Sequence, residues 1–142
     1  MEVKTGRCFI GRLETKADLL DQLTKLCVRE KVDLGVINVI GAVRSAKLGY
    51  YDQKSQKYVT CVDLSNKTLE IVSGMGNVSL NNGQPFVHLH VTFADHDGNC
   101  YGGHLMPGAE IFAAEYFLRE LIGEKLERSL DQVTGLMLWP IK

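Results

Sequence analysis

Short runs of apolar and β-branched residues separated by turn residues recur along most of this chain, and they predict strands. Residues 7–12 read as a short opening strand. Residues 34–43 are β-branched, nearly all apolar and too short for a typical helix, which predicts a central strand. Residues 46–52 and 57–64 read as the arms of a hairpin. Residues 68–72 form another strand, which Ser73-Gly74-Met75-Gly76-Asn77 interrupts before residues 78–80, and a turn follows at residues 81–85. The pattern changes once. Leu19, Leu20, Leu23, Leu26 and Cys27 recur at helical spacing to about Lys31. Thr15 is placed to cap this helix, with Asp18 three positions on. Asp21, Lys25, Arg29 and Glu30 form its solvated face.

Later segments are less clear-cut. Residues 109–120 suit a helix or a strand, and their Phe, Tyr and Ile content favours strand. Residues 122–130 are polar and read as a short helix or turn, and residues 135–139 as a closing strand. The sum is an α+β domain: a mostly antiparallel or mixed β-sheet wrapped on itself with one main amphipathic helix. Residues 1–142 are expected to form one domain.

Within this pattern the histidines stand out. Residues two apart on a strand face the same way, so His88 and His90 project side by side. Between residues 87–93 and 100–106 lies Ala94-Asp95-His96-Asp97-Gly98-Asn99, a hairpin-turn composition. A reversal about Asp97 sets His90 opposite His104 and gathers His88, His90 and His104 on one face. A tight Asp97-Gly98 turn would instead set His104 opposite Val91 and point it away. The loop character of Asp95 and Asn99 favours the longer loop. In that register the three imidazoles are a facial ligand set for a divalent metal, with zinc the expected ion. Copper, nickel and iron also suit nitrogen ligands. The plainer reading is three hydrogen-bonded core or cleft histidines.

Composition narrows the function classes. The formal net charge is -1, from 16 basic and 17 acidic residues, so the charge excess that drives non-specific DNA binding is lacking. No apolar run approaches a membrane span, and the N-terminus has no basic segment followed by an apolar stretch. A cytoplasmic location is expected. Cys8, Cys27, Cys61 and Cys100 form no C-x-x-C pair and read as reduced, mostly buried thiols; Cys100, next to the histidine hairpin, could touch that site but reads more simply as a core position. Asp95 and Asp97 read as solvated loop residues, and His96 as a surface histidine.

Three further residues are catalytic candidates. Glu70 and Glu115 lie in apolar segments, where an ionised carboxylate is costly unless paired, and either could act as a general acid or base beside a metal. Each could equally be an outward-facing strand residue or a salt-bridge partner. Arg44 could clamp an anionic substrate or pair with Glu70. Gly74-x-Gly76 and Gly102-Gly103 could admit a ligand close to the backbone or serve tight strand contacts.

Gly41-Ala42-Val43, Leu48-Gly49-Tyr50-Tyr51-Asp52, Leu69-Glu70-Ile71-Val72-Ser73-Gly74-x-Gly76-Asn77-Val78-Ser79, His88-Leu-His90 and Gly102-Gly103-His104-Leu105 together resemble the plants and prokaryotes conserved (PPC) domain, of the stand-alone prokaryotic type with a PD1-like motif. The resemblance implies a compact α+β fold, a homotrimer and the DNA-binding, transcription-associated label that many members carry. The AT-hooks that accompany the plant domain are missing from this sequence. A second resemblance is to acetolactate decarboxylase, which is similar in fold and holds zinc with a His-x-His pair and a later Gly-Gly-His. The matching positions are His88, His90 and His104, at a somewhat different spacing. This likeness implies a metal-assisted or small-molecule-binding role. It does not place that enzyme's catalytic carboxylates and arginine on the present chain.

Overall fold

A computed structural model of the chain describes residues 1–141. The elements are β1 (Lys4–Arg12), α1 (Leu19–Glu30), β2 (Gly35–Val43), β3 (Lys47–Asp52), β4 (Lys57–Asp63), β5 (Leu69–Asn81), β6 (Gln84–Ala94), β7 (Cys100–Met106), β8 (Ile111–Ile122), β9 (Ser129–Leu130) and β10 (Met137–Leu138). Eight strands form one sheet in the order β1-β8-β2-β5-β6-β7-β3-β4, and its strand pairs are antiparallel. Strands β9 and β10 make a separate small pair.

The helix is the centre of the core. Leu19, Leu23, Leu26 and Cys27 cluster with Ile37 and Val39 of β2, Leu48 of β3, Leu89, Val91 and Phe93 of β6, Leu105 of β7 and Leu118 of β8. One helix thus covers inward-facing side chains from across the sheet, and the strands bend around it. The opposite face of β5, β6 and β7 is left to carry chemistry. Among the described residues, no helix is long and apolar enough to cross a membrane.

Asp18, and not Thr15, caps α1. Its Oδ1 accepts from the Asp21 N–H at 2.9 Å, and its Oδ2 accepts from the N–H groups of Gly108 and Ala109 at 2.7 and 3.1 Å. Thr15 instead donates its hydroxyl to the Phe112 carbonyl. One carboxylate therefore starts the helix and pins the β7–β8 connection to it. Asp18→Ala is expected to cost about 1–2 kcal/mol, read as a lower denaturation midpoint at unchanged m-value in a urea melt.

Three other expectations need correction. Strand β5 runs unbroken through Gly74 and Gly76, with one register irregularity between Ile71 and Ser73. A side chain at Gly76 would overlap the His88 carbonyl oxygen, so this glycine serves close approach of β5 to β6 and does not break the strand. Residues 122–130 contain no helix. They leave the end of β8, pass through a bend and reach β9. Finally, only Cys27 is buried, and burial pushes its thiol up to about 12. Cys8, Cys61 and Cys100 are exposed because they sit on edge strands or at a strand's open end.

Candidate metal centre

The hairpin of β6 and β7 pairs His90 with His104, Val91 with Gly103, and so on to Ala94 with Cys100. This is the longer-loop register. Asp95 sets it. Its main-chain N–H donates to the Asn99 carbonyl at 3.0 Å, and its carbonyl accepts from Gly98 at 3.0 Å. Its carboxylate accepts from the N–H groups of Asp97 and Asn99, the Asn99 side-chain amide, the Tyr101 hydroxyl at 2.9 Å and Lys67 Nζ at 3.4 Å. Asp95 is buried, not solvated. Burial alone would raise its pKa, but hydrogen bonds from Tyr101, Asn99 and Asp97 outweigh that and hold the carboxyl well below the usual range.

With the loop so fixed, His88, His90 and His104 converge. Their ring centroids lie 5.1 Å (His88–His90), 5.0 Å (His88–His104) and 5.6 Å (His90–His104) apart. One ligand nitrogen from each comes within 4.8 Å of the others. His90 is exposed while His88 and His104 are partly buried, so the cluster opens to solvent on one side. Burial, reinforced by His104, Arg128 and His90, pushes the His88 imidazole down to about 4. Burial, then His90 and Arg128, lowers His104 as well. Both rings are neutral at neutral pH, with a lone pair to offer.

The donor atoms fit a metal. His88 Nε2 and His104 Nδ1 are buried and lack a hydrogen-bond partner among the described residues. Orphaning such an atom costs about 1–3 kcal/mol, so two in one cluster call for a ligand in common. Neutral nitrogen donors suit zinc and its first-row neighbours. The Tyr58 ring packs on His104 at 4.7 Å, and Tyr51 meets Tyr58 edge-on at 5.3 Å.

The catalytic candidates lie elsewhere. Glu70 opposes Ala94 at the far end of β6 from His88, and borders a concavity of about 510 Å³ with Arg44, His96 and Phe112. Glu115 opposes Ile40 and Arg12 and borders another of about 520 Å³. Arg44 pairs with Glu110 at 3.8 Å, not with Glu70, and stacks on Phe112. None of the three joins the histidine cluster.

The structure adds a residue that sequence reasoning passed over. Arg128, only 8% exposed, reaches back from the C-terminal segment onto the histidine face. Its Nε donates to Ser79 Oγ at 2.8 Å, Nη1 to the Met137 carbonyl at 2.9 Å and Nη2 to Asn77 Oδ1 at 3.3 Å. Asn77 is the direct cross-strand neighbour of His88, and Ser79 that of Phe86. The guanidinium also lies over the Phe86 and Trp139 rings, at 4.8 and 5.2 Å. Sequence carried no signal for this, because the contact spans some fifty residues of chain (49 between Arg128 and Ser79).

A curled antiparallel sheet around one helix, with three convergent histidines on its outer face, defines a small β-rich domain with a histidine cluster. Its sequence is more specific still. The chain belongs to the Plants and Prokaryotes Conserved (PCC) domain family, whose profile matches residues 1–122. It superposes on a metal-containing protein from Archaeoglobus fulgidus with a TM-score of 0.91 at 44% identity, covering 99% of this chain and 97% of that one. A plant- and prokaryote-conserved protein from Pyrococcus horikoshii gives 0.93 at 37% identity, covering 99% and 96%. More distant solved structures, 23% and 20% identical, are described in terms that suggest DNA binding, and likeness at that level shows the fold alone. The curated bifunctional protein GlmU of a Synechococcus strain is 30% identical over 133 residues, 92% of this chain, but the chain spans only 20% of that protein's length.

Proposed function

We propose that this protein is a metal-dependent small-molecule-binding domain, with a divalent ion, zinc in the first instance, held by His88, His90 and His104. One observation carries the reading: three imidazoles converge within 4.8 Å, and two of them present buried nitrogens with no partner among the described residues. The metal-containing relative from Archaeoglobus fulgidus supports it. When bound, such an ion would supply a Lewis acid and a water of lowered pKa. The chain's own residues hold the His88 and His104 rings neutral, pack Tyr58 on His104 and leave the His90 side open. Metal analysis of protein purified without a histidine tag tests the proposal. About one ion per chain is expected, and protein that arrives metal-free and ignores added zinc would overturn it.

The domain is further proposed to act as a homotrimer, as the family resemblance implies. The support is an apolar stripe on the same outer face. Ile10 is 83% exposed, Met75 63% and Ile40 56%, and Ile10 opposes Phe117. Met75 opposes His90, so a partner seated there would border the histidines. Ile40→Asp is expected to turn the assembly into monomers by sedimentation velocity, since a buried unpaired carboxylate is heavily penalised. Against the DNA-binding alternative stands a formal net charge of -1, which supplies no excess of basic groups for phosphate contacts. No retardation of duplex DNA is expected at physiological salt.

A further inference from the structure

Among the described residues, Arg128 is a buried cation without a counter-ion. Among the described residues no ion pair includes it, and its three hydrogen bonds go to a hydroxyl, an amide oxygen and a backbone carbonyl, all neutral. Two aromatic rings flank it. They soften the loss of water but supply no negative charge. A guanidinium this deeply buried is ordinarily matched by a carboxylate.

Its position makes the imbalance sharper. Arg128 bonds to Asn77, the cross-strand partner of His88, and sits over Phe86, two positions along β6 from His88. The histidine cluster contains no carboxylate among the described residues. A divalent ion on these three rings, with no carboxylate among its ligands, would therefore add its charge beside a guanidinium that has no acidic partner among the described residues. Like charges held close in a partly dry site repel strongly. A negatively charged ligand is the one addition that relieves both.

We propose that the histidine centre takes a small oxyanion, a carboxylate or a phosphate, whose charge is shared between the metal-binding face and Arg128. The guanidinium keeps N–H groups beyond its three bonds, and these can donate to either group. This rests on the metal reading given above. Arg128 is the specificity-determining residue, and the three histidines are the anchor.

Isothermal titration of zinc-loaded protein with sodium acetate, and separately with inorganic phosphate, tests the assignment after metal content has been measured. The loaded wild type is expected to bind at least one of the two, and the metal-free protein to bind it at least tenfold more weakly. Whichever anion binds more tightly identifies the source. Arg128→Gln is expected to keep stoichiometric metal yet weaken the anion tenfold or more, with Arg128→Lys falling between. Loaded wild type that binds neither anion overturns the proposal, as does an Arg128→Gln protein that holds the anion unchanged. Should Arg128→Gln fail to fold, the wild-type comparison with and without metal decides. Wild type that takes up no metal at all would instead overturn the metal reading itself, so the two failures are distinguishable.

Discussion

His88→Ala is expected to lose divalent metal while leaving the metal-free fold as stable as before, or slightly more so. The first half follows from ligand number. Structural zinc sites gain about 10–16 kcal/mol from about four ligands. Each ligand is then worth roughly 2.5–4 kcal/mol, or roughly a hundred- to a thousandfold in affinity. The second half follows from burial. His88 Nε2 is a buried nitrogen with no partner among the described residues, and its ring is held neutral in a place that disfavours charge. Removing it deletes an unsatisfied polar atom along with some packing, two effects of opposite sign. Thermal melts of wild type and variant, each with chelator and with zinc, read both quantities. The zinc-induced rise in melting temperature should vanish in the variant. His96→Ala, at the exposed loop tip, should retain it. If the histidines only pack and hydrogen-bond, the chelated variant would instead lose stability and zinc would shift neither protein.

That contrast shows which parts of the molecule the sequence made legible. The helix is readable because Leu19, Leu23, Leu26 and Cys27 must share a face to be buried together, and they are. The histidine register is readable because strand geometry converts spacing into facing, once the loop length is known. Local rules failed where a distant group decides. Thr15 satisfies every local condition for a cap, yet Asp18 wins because it also ties down Gly108 and Ala109. Gly74 and Gly76 look like breakers, but the approach of β6 needs residues without side chains. Glu70 and Glu115 drew notice for their apolar neighbours in sequence, and those neighbours face the other side of the sheet. Arg128 lay in a polar run whose destination no local pattern encodes.

Asp95 is the most consequential of these non-local residues, and its replacement is the second large effect expected. Asp95→Ala removes the acceptor for Asp97, Asn99, Tyr101 and Lys67 together. The loop would then lose what holds it open at residues 95–99, and the tighter Asp97-Gly98 turn becomes competitive. That slip would carry His104 to the other face of the hairpin. Metal affinity is accordingly expected to fall about tenfold or more, although Asp95 is not itself in the histidine cluster. Asp95→Asn keeps the shape and one acceptor oxygen, and should fall between. The pH dependence separates charge from shape. The folded carboxyl titrates below its ordinary value, so its stabilisation is complete above the unfolded pKa of about 3.9 and is lost as the pH falls below that. In the metal-free protein, the melting-temperature gap between wild type and Asp95→Asn should therefore stay level down to about pH 5 and narrow progressively below about pH 4. A gap that stays constant would mean that the carboxylate's charge does not hold the loop, and that the register of the three histidines is set by the strands alone.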